Sequence, residues 1–207
     1  MKNIAAVLVL AAAGSAANAQ VWAEIPDAGD LVATSQSTVG VGGLNGITGL
    51  FGSGTDVDMF CIHVDDWATF SARVTSLGGG GALDTQVYLF DAAGNGIAFN
   101  DDAPFPVSIL PAGHALYSGR TNGEMVYIAV SQYNVDPQNG AGAFMFPNTF
   151  TGVFGPTNPG PVASWAGTGG TAGTYTIELT GSSYCVPTPG AAAMLGLGGL
   201  AAFRRRR

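Results

Sequence analysis

The sequence predicts an all-β protein built as an antiparallel β-sandwich, and three observations lead to this fold class. Glycine takes 32 of the 207 positions, about twice its usual share of roughly 7%. Only 10% of the residues are charged, and no lysine follows Lys2. Apolar residues alternate along short segments and show no sustained helical period. Short strands joined by glycine-rich turns give such a pattern, and the length suits one domain.

The clearest strand covers residues 56–64. Phe60, Ile62 and Val64 fall on one face of it, because successive side chains of a strand point to opposite sides. A turn cluster at residues 91–96 separates two further strands. All other strands are expected at residues 38–41, 44–51, 69–77, 85–90, 97–99, 114–117, 125–133 and 174–180.

Residues 134–173 are the exception to this pattern. They are rich in glycine, proline and asparagine, with scattered aromatic residues that include Trp165. A structureless loop of that length is uncommon inside a compact domain. We expect an ordered excursion that packs on the sandwich through its aromatic side chains, and a ligand platform is the alternative.

The N-terminal segment, residues 1–19, has the pattern of a secretory signal peptide. Lys2 precedes an apolar run, and small residues lead to Ala17-Asn-Ala19. A positive start, an apolar core and an A-x-A site are the parts of such a signal. We expect a signal helix, passage through the export machinery and cleavage by signal peptidase before Gln20. A buried helix is the alternative.

The C-terminal segment, residues 185–207, mirrors this arrangement. The uncharged run at 191–203 would rise about 20 Å as a short hydrophobic helix, less than the roughly 30 Å hydrocarbon core of a membrane. Four arginines follow it and would stay cytoplasmic by the positive-inside rule. The run is preceded by the motif Val186, Pro187, Thr188, Pro189 and Gly190.

A short motif, a short apolar span and a basic tail resemble the PEP-CTERM class of bacterial sorting signals. The resemblance implies transient anchoring in the inner membrane and removal of the tail by an exosortase-like sorting protease. Thr188 stands where that class carries a central glutamate. A permanent weak membrane anchor is the alternative.

Six segments lie between positions 22 and 181 in a characteristic order, at residues 24–31, 46–49, 55–60, 83–102, 126–130 and 173–179. In that order they resemble the bacterial pre-peptidase C-terminal domain. The resemblance implies a non-catalytic, jelly-roll-like β-sandwich over residues 20–184. Domains of this family accompany secreted enzymes or surface proteins, and some bind matrix polymers or calcium.

The charge distribution excludes a nucleic-acid partner. Apart from the two ends, only Arg73 and Arg120 oppose fourteen acidic residues, which gives this body a net charge of −12. A protein that neutralises phosphates needs a basic face. The acidic body instead favours Ca²⁺, which takes oxygen ligands, and the sequence indicates no other cofactor.

The resemblance implies where calcium would bind. Calcium-binding members use acids before the first strand and at the start of an Asp-x-Asp-x-Phe strand. The matching residues are Glu24, Asp27, Asp56 and Asp58. The alternative is that Asp56 and Asp58 cap a turn and stay solvated.

A second acidic cluster combines Asp91 and Asn95 with residues 100–102. It does not fit the EF-hand loop, because Ala93 takes the third position and Asp102 the twelfth. Asp91 is expected to hydrogen-bond its own turn.

Two cysteines, Cys61 and Cys185, predict one disulfide in an exported protein. Two free thiols or an intermolecular bridge are the alternatives. Cys61 and His63 share a strand face, but positions i and i+2 lie about 7 Å apart and no third orienting residue is identifiable. The sequence therefore gives no catalytic residues.

These features predict a non-enzymatic exported protein of the cell surface or extracellular matrix. Its loops would contact exopolysaccharide or neighbouring surface proteins. A carbohydrate-binding module that stacks sugars on Trp165 and nearby phenylalanines is one alternative. A secreted hydrolase of unfamiliar type is another.

Overall fold

The structure is a computed structural model that describes residues 20–78, 81–103 and 105–187. The predicted signal segment with Ala17 and Ala19 lies outside the described residues, as does the sorting tail beyond Pro187. The two predicted terminal helices fall in those outer segments. Within the described part of the chain, no helix is long and apolar enough to cross a membrane.

Short strands connected by turns make up most of the described chain. In order they are β1 (Val21–Ala23), β2 (Gln36–Ser37), β3 (Val39–Gly40), β4 (Gly46–Phe51), β5 (Val57–Val64), β6 (Ser71–Gly78), β7 (Thr85–Asp91), β8 (Gly96–Asn100), β9 (Ser108–Leu110), β10 (Glu124–Gln132), β11 (Val135–Asn139), β12 (Val153–Phe154), β13 (Val162–Gly167), β14 (Gly173–Thr180), β15 (Ser182–Tyr184) and β16 (Val186–Pro187).

Most of these strands form two large sheets, while β11 with β13 and β3 with β16 form two small sheets of two strands each. The first large sheet has the order β1-β4-β14-β6-β9, and the second has the order β12-β8-β7-β10-β5-β15 with β2 beside β5. Long pairs such as β14–β6 and β10–β5 are antiparallel. The short pairs β1–β4, β2–β5 and β16–β3 are parallel, which an alternation pattern cannot reveal because it carries no strand direction. The predicted all-β, sandwich-like fold is confirmed.

The main hydrophobic core lies between the two sheets. Ile47 and Ile177 contribute to it from the first sheet, and Ile62 and Ile128 contribute from the second. All four side chains are fully buried. The alternation predicted for β5 is confirmed, since Phe60, Ile62 and Val64 all point into this core.

A second core covers the other face of the second sheet. Met59 of β5 and Tyr88 of β7 face away from the main core and meet Met145 and Phe146 of the long excursion. The rings of Tyr88 and Phe146 lie 5.6 Å apart between centroids. The excursion is thus an ordered third layer, and the second sheet is buried on both faces.

The predicted strand at residues 114–117 is wrong. The structure has a 3-10 helix at Ala115–Tyr117, and the His114 side chain accepts a hydrogen bond from the Leu116 N–H at 3.3 Å. The Tyr117 ring packs edge-on against Phe70 and obliquely on Trp67. The apolar residues that suggested a strand belong to a short helix that buries the Tyr117 ring.

Candidate cation sites formed by buried carboxylates

Three of the four predicted calcium ligands come together at one end of the sandwich. Glu24, Asp27 and Asp58 each offer a carboxylate oxygen, and these oxygens lie within 4.8 Å of one another. We call them the sandwich-end group. Glu24 follows β1 directly, and its backbone N–H bonds to Thr48 of β4 at 2.9 Å. Asp58 arrives from β5 of the opposite sheet, so the group spans both sheets.

Asp58 is the buried member of this group. Its residue is 0% exposed, and neither carboxylate oxygen has a hydrogen-bond partner. Burial raises the pKa of Asp58 to about 9, against a lowering effect of the Tyr175 hydroxyl, and the proximity of Glu24 adds to the rise. The Tyr175 hydroxyl is also buried and forms no hydrogen bond of normal geometry. An unpaired buried carboxylate is costly unless it is protonated or meets a cation.

Glu24 is held in place by the backbone. Its Oε1 accepts the Ala28 N–H at 2.7 Å, and its Oε2 accepts the Leu50 N–H at 2.8 Å. A Cβ at Gly49 would overlap the Tyr175 hydroxyl and lie 2.6 Å from Glu24 Oε2. Only glycine leaves room for both oxygens here.

Asp56 lies outside the group of three. Its Oδ2 accepts the Gly52 backbone N–H across a turn that leads into β5. Burial raises its pKa, and the charges of Asp27 and Glu24 contribute further, against the lowering effect of that hydrogen bond. Asp56 therefore contributes to the negative potential near the group without belonging to it. Its side chain closes a turn, which was the alternative to calcium binding expected for this residue.

A second group of carboxylates forms at the open end of the β7–β8 hairpin. Asp84, Asp101 and Asp102 each offer an oxygen, again within 4.8 Å of one another. We call them the hairpin group. Asp84 immediately precedes β7, and the aspartate pair follows β8. Val87 pairs with Asn100, and the same antiparallel register carries the preceding and following residues toward each other.

The hairpin group also contains unpaired buried oxygens. The Oδ1 atoms of Asp84, Asp101 and Asp102 are buried and lack hydrogen-bond partners. Asp101 is only 2% exposed. Burial raises the pKa of Asp101 to about 7, and the charges of Asp84 and Asp102 add to that effect.

The predicted cluster of Asp91, Asn95 and residues 100–102 is only partly correct, because Asp101 and Asp102 meet Asp84 instead of Asp91 and Asn95. Asp91 and Asn95 lie at the closed end of the same hairpin, where Asp91 Oδ1 accepts the N–H groups of Ala93 and Asn95, both at 2.9 Å. The prediction that Asp91 bonds its own turn is confirmed. Asp84 was missed, although its position directly before β7, opposite the end of β8, was the available signal.

Cys61 and Cys185 form a disulfide with their Cα atoms 5.5 Å apart. It joins the middle of β5 to the chain segment between β15 and β16. The bonded Cys61 sulfur is no free nucleophile, and the neighbouring His63 Nδ1 lies 2.9 Å from the Gly123 carbonyl oxygen. The residues of the predicted motif that are described, Val186 and Pro187, pair with β3.

The aromatic residues of the excursion divide into two sets. Trp165 packs edge-on against Tyr88 and donates its indole N–H to the Asp30 carbonyl at 2.7 Å. Phe150 instead is 53% exposed, and its ring lies 6.1 Å from that of Tyr133, which is 39% exposed. The exposed pair is the surface on which a ligand could stack.

No protein-family model matches this chain, and none of the curated proteins matches it either. The class of protein is therefore described by its fold and by the geometry of its candidate sites. The described residues form an all-β, sandwich-like protein with one disulfide. They also form two groups of carboxylates that place unpaired oxygens in buried positions.

Proposed function

We propose that this chain is a non-enzymatic exported protein of the cell surface or extracellular matrix, stabilised by calcium at the sandwich-end group. The observation that carries the proposal is the fully buried Asp58 carboxylate, which has no hydrogen-bond partner and lies beside Glu24 and Asp27. A bound cation would turn this unfavourable arrangement into a structural link between the two sheets.

The donor set suits Ca²⁺, which takes several carboxylate ligands in a flexible geometry. Ca²⁺ binds oxygen at about 2.3–2.6 Å, so two of its ligands are at most about 5 Å apart. The three oxygens lie within 4.8 Å of one another. Mg²⁺ binds at about 2.0–2.1 Å and demands a tighter, regular octahedron. Carbonyl oxygens and water would complete a calcium shell of about 6–8 ligands.

Export and display are supported by the disulfide and the charge distribution. Disulfides persist mainly in oxidising compartments, and Cys61 and Cys185 are bonded. The basic residues at the two ends fit topology signals, with an acidic body displayed outside the inner membrane. In this proposal the sandwich is jelly-roll-like, a PEP-CTERM-type tail is cut by an exosortase-like protease, and the loops contact surface polymers or proteins.

Calorimetric titration of the full chain with CaCl₂ tests the calcium part of this proposal. Asp58→Asn should abolish binding at the sandwich-end group, because it removes the central charge at nearly constant shape. Asp30→Asn is the matched control, since Asp30 is exposed and outside both groups. Equal calcium binding by the two variants would refute a site at Asp58.

A carbohydrate-binding module is the second candidate, favoured by the exposed Tyr133–Phe150 pair. Aromatic rings of this kind present apolar faces with little conformational freedom to lose. Affinity electrophoresis against the producer's own exopolysaccharide tests it. Retardation that Phe150→Ala removes and Trp165→Phe leaves unchanged would support this function, and no retardation of the unaltered chain would reject it.

A further inference from the structure

The hairpin group concentrates negative charge that no neighbouring side chain among the described residues neutralises. Three carboxylates converge, each with a buried oxygen that lacks a partner. Asp101, at 2% exposure, cannot relieve its charge by turning into solvent. Buried charges in proteins are normally paired or coordinated to a metal.

No arginine or lysine side chain is available to pair with this group in the described part of the chain. Its only arginines are Arg73 and Arg120, and it contains no lysine. Arg73 forms an ion pair with Glu178, and Arg120 forms one with Glu124. Both arginines are therefore occupied elsewhere in the fold, which leaves a cation from solution as the missing charge.

We propose that Asp84, Asp101 and Asp102 form a second binding site for a hard divalent cation of the Ca²⁺ class. Their oxygens lie within 4.8 Å of one another, close enough to share one ion with ligand bonds of about 2.3–2.6 Å. The site goes beyond the proposed function, because it lies at the β7–β8 hairpin and shares no residue with the sandwich-end group.

The backbone around the hairpin group is fixed by a buried amide. Asn100 Oδ1 accepts the Ile109 N–H at 2.6 Å, and its Nδ2 donates to the Gly152 carbonyl at 2.7 Å. Asn100 is fully buried. The amide therefore holds the start of the aspartate pair against both β9 and the excursion, so the carboxylates are placed before any ion arrives.

Two backbone hydrogen bonds connect the hairpin group to the exposed pair of Tyr133 and Phe150. The Asp102 N–H donates to the Phe150 carbonyl at 2.7 Å, and the Tyr133 N–H donates to the Asp84 carbonyl at 3.0 Å. Each exposed ring thus belongs to a residue that is hydrogen-bonded to a member of the group. A cation held by the three carboxylates would fix the spacing of the two rings and tie the excursion to the hairpin.

Calcium titration and thermal unfolding of the full chain test this inference. The unaltered chain should bind two calcium ions, and Asp101→Asn should bind one. At calcium concentrations about a hundredfold above the dissociation constant, each site should raise the Tm by roughly 5–10 °C. Asp101→Asn should lose one such increment, and the control Asp30→Asn should lose none.

Hydrogen exchange separates this site from the sandwich-end group. Calcium should slow amide exchange in residues 149–152, and Asp101→Asn should remove that protection while Asp58→Asn keeps it. If Asp101→Asn does not fold, Asp102→Asn, at a half-buried position, replaces it. The inference is overturned if the hairpin variant matches Asp30→Asn in stoichiometry and protection. The proposed function fails separately, if Asp58→Asn matches that control.

Discussion

The two carboxylate groups use similar chemistry on different parts of the fold. The sandwich-end group takes Asp58 from the second sheet and Glu24 from the end of a strand in the first, so it exists only when the two sheets are packed. The hairpin group takes all three residues from the ends of two adjacent strands, and β9 and the excursion hold the backbone beside it. The first group therefore depends on the packing of the two sheets, and the second depends on the β7–β8 hairpin and the excursion that covers it.

The burial of the central residue also differs between the groups. Asp58 lies within a strand and points to the side that carries Phe60 and Ile62, where water is excluded. Asp101 lies just after a strand, beside two further carboxylates. Desolvation is the leading cause of the raised pKa in both cases, and the resulting pKa is higher for Asp58.

The two groups should differ most in how the free energy of unfolding depends on pH after calcium has been removed. The folded-state pKa is about 9 for Asp58 and about 7 for Asp101, against 3.8 for an unperturbed carboxyl. A carboxyl whose pKa rises on folding binds more protons in the folded state, so its stabilisation is lost as pH rises. The chelated protein should lose stability from pH 4 upward, on the order of 10 kcal/mol in total by pH 9.

Urea unfolding in EDTA, repeated from pH 4 to pH 9, measures this loss. Between pH 7 and pH 9 the remaining slope belongs to Asp58, and Asp58→Asn should flatten it. Asp101→Asn should reduce the slope below pH 7 and leave the upper part unchanged. A profile that is flat without calcium would contradict the burial of both carboxylates.

Removal of the Phe146 ring should damage the hairpin group more than the sandwich-end group. Phe146 is 7% exposed and contacts the rings of Tyr88 and Phe99 beneath the excursion. Phe146→Ala should lower the free energy of unfolding by about 3–5 kcal/mol. The hairpin group should lose calcium affinity because the Asp102–Phe150 contact depends on the same layer.

Phe144→Ala is the matched control, because Phe144 lies in the same layer but is 49% exposed. It should change the unfolding free energy by less than about 0.5 kcal/mol. Urea unfolding and calcium calorimetry on both variants give the comparison. Equal losses from the two substitutions would show that the excursion is not packed as described.

A methyl group at Gly49 should have the smallest effect and should be confined to the sandwich-end group. The new Cβ would displace either the Tyr175 hydroxyl or Glu24 Oε2, and such overpacking costs about 1–3 kcal/mol. Gly49→Ala should weaken calcium binding there and leave the hairpin group intact. At the control position Gly140 an added Cβ meets no atom within 4 Å, so Gly140→Ala should leave both the Tm and calcium binding unchanged.

The strands could largely be predicted from the sequence because alternation follows directly from strand geometry. The spacing of Phe60, Ile62 and Val64 is enough to identify the core face of β5. The 3-10 helix at Ala115–Tyr117 could not be identified this way, because one buried Tyr117 ring and a capping His114 give the same local signal as a short strand. Local apolar content does not distinguish the two.

The candidate sites show a similar division. The sequence by itself determined the acidic body and the presence of two cysteines, since these depend on composition alone. The residues of the sandwich-end group were expected, together with Asp56, from the resemblance to a known domain. Only the tertiary structure decided that Asp56 closes a turn and that Asp84 joins Asp101 and Asp102. Ligand convergence depends on strand register and sheet packing, and these place residues that are distant in sequence within a few ångströms of one another.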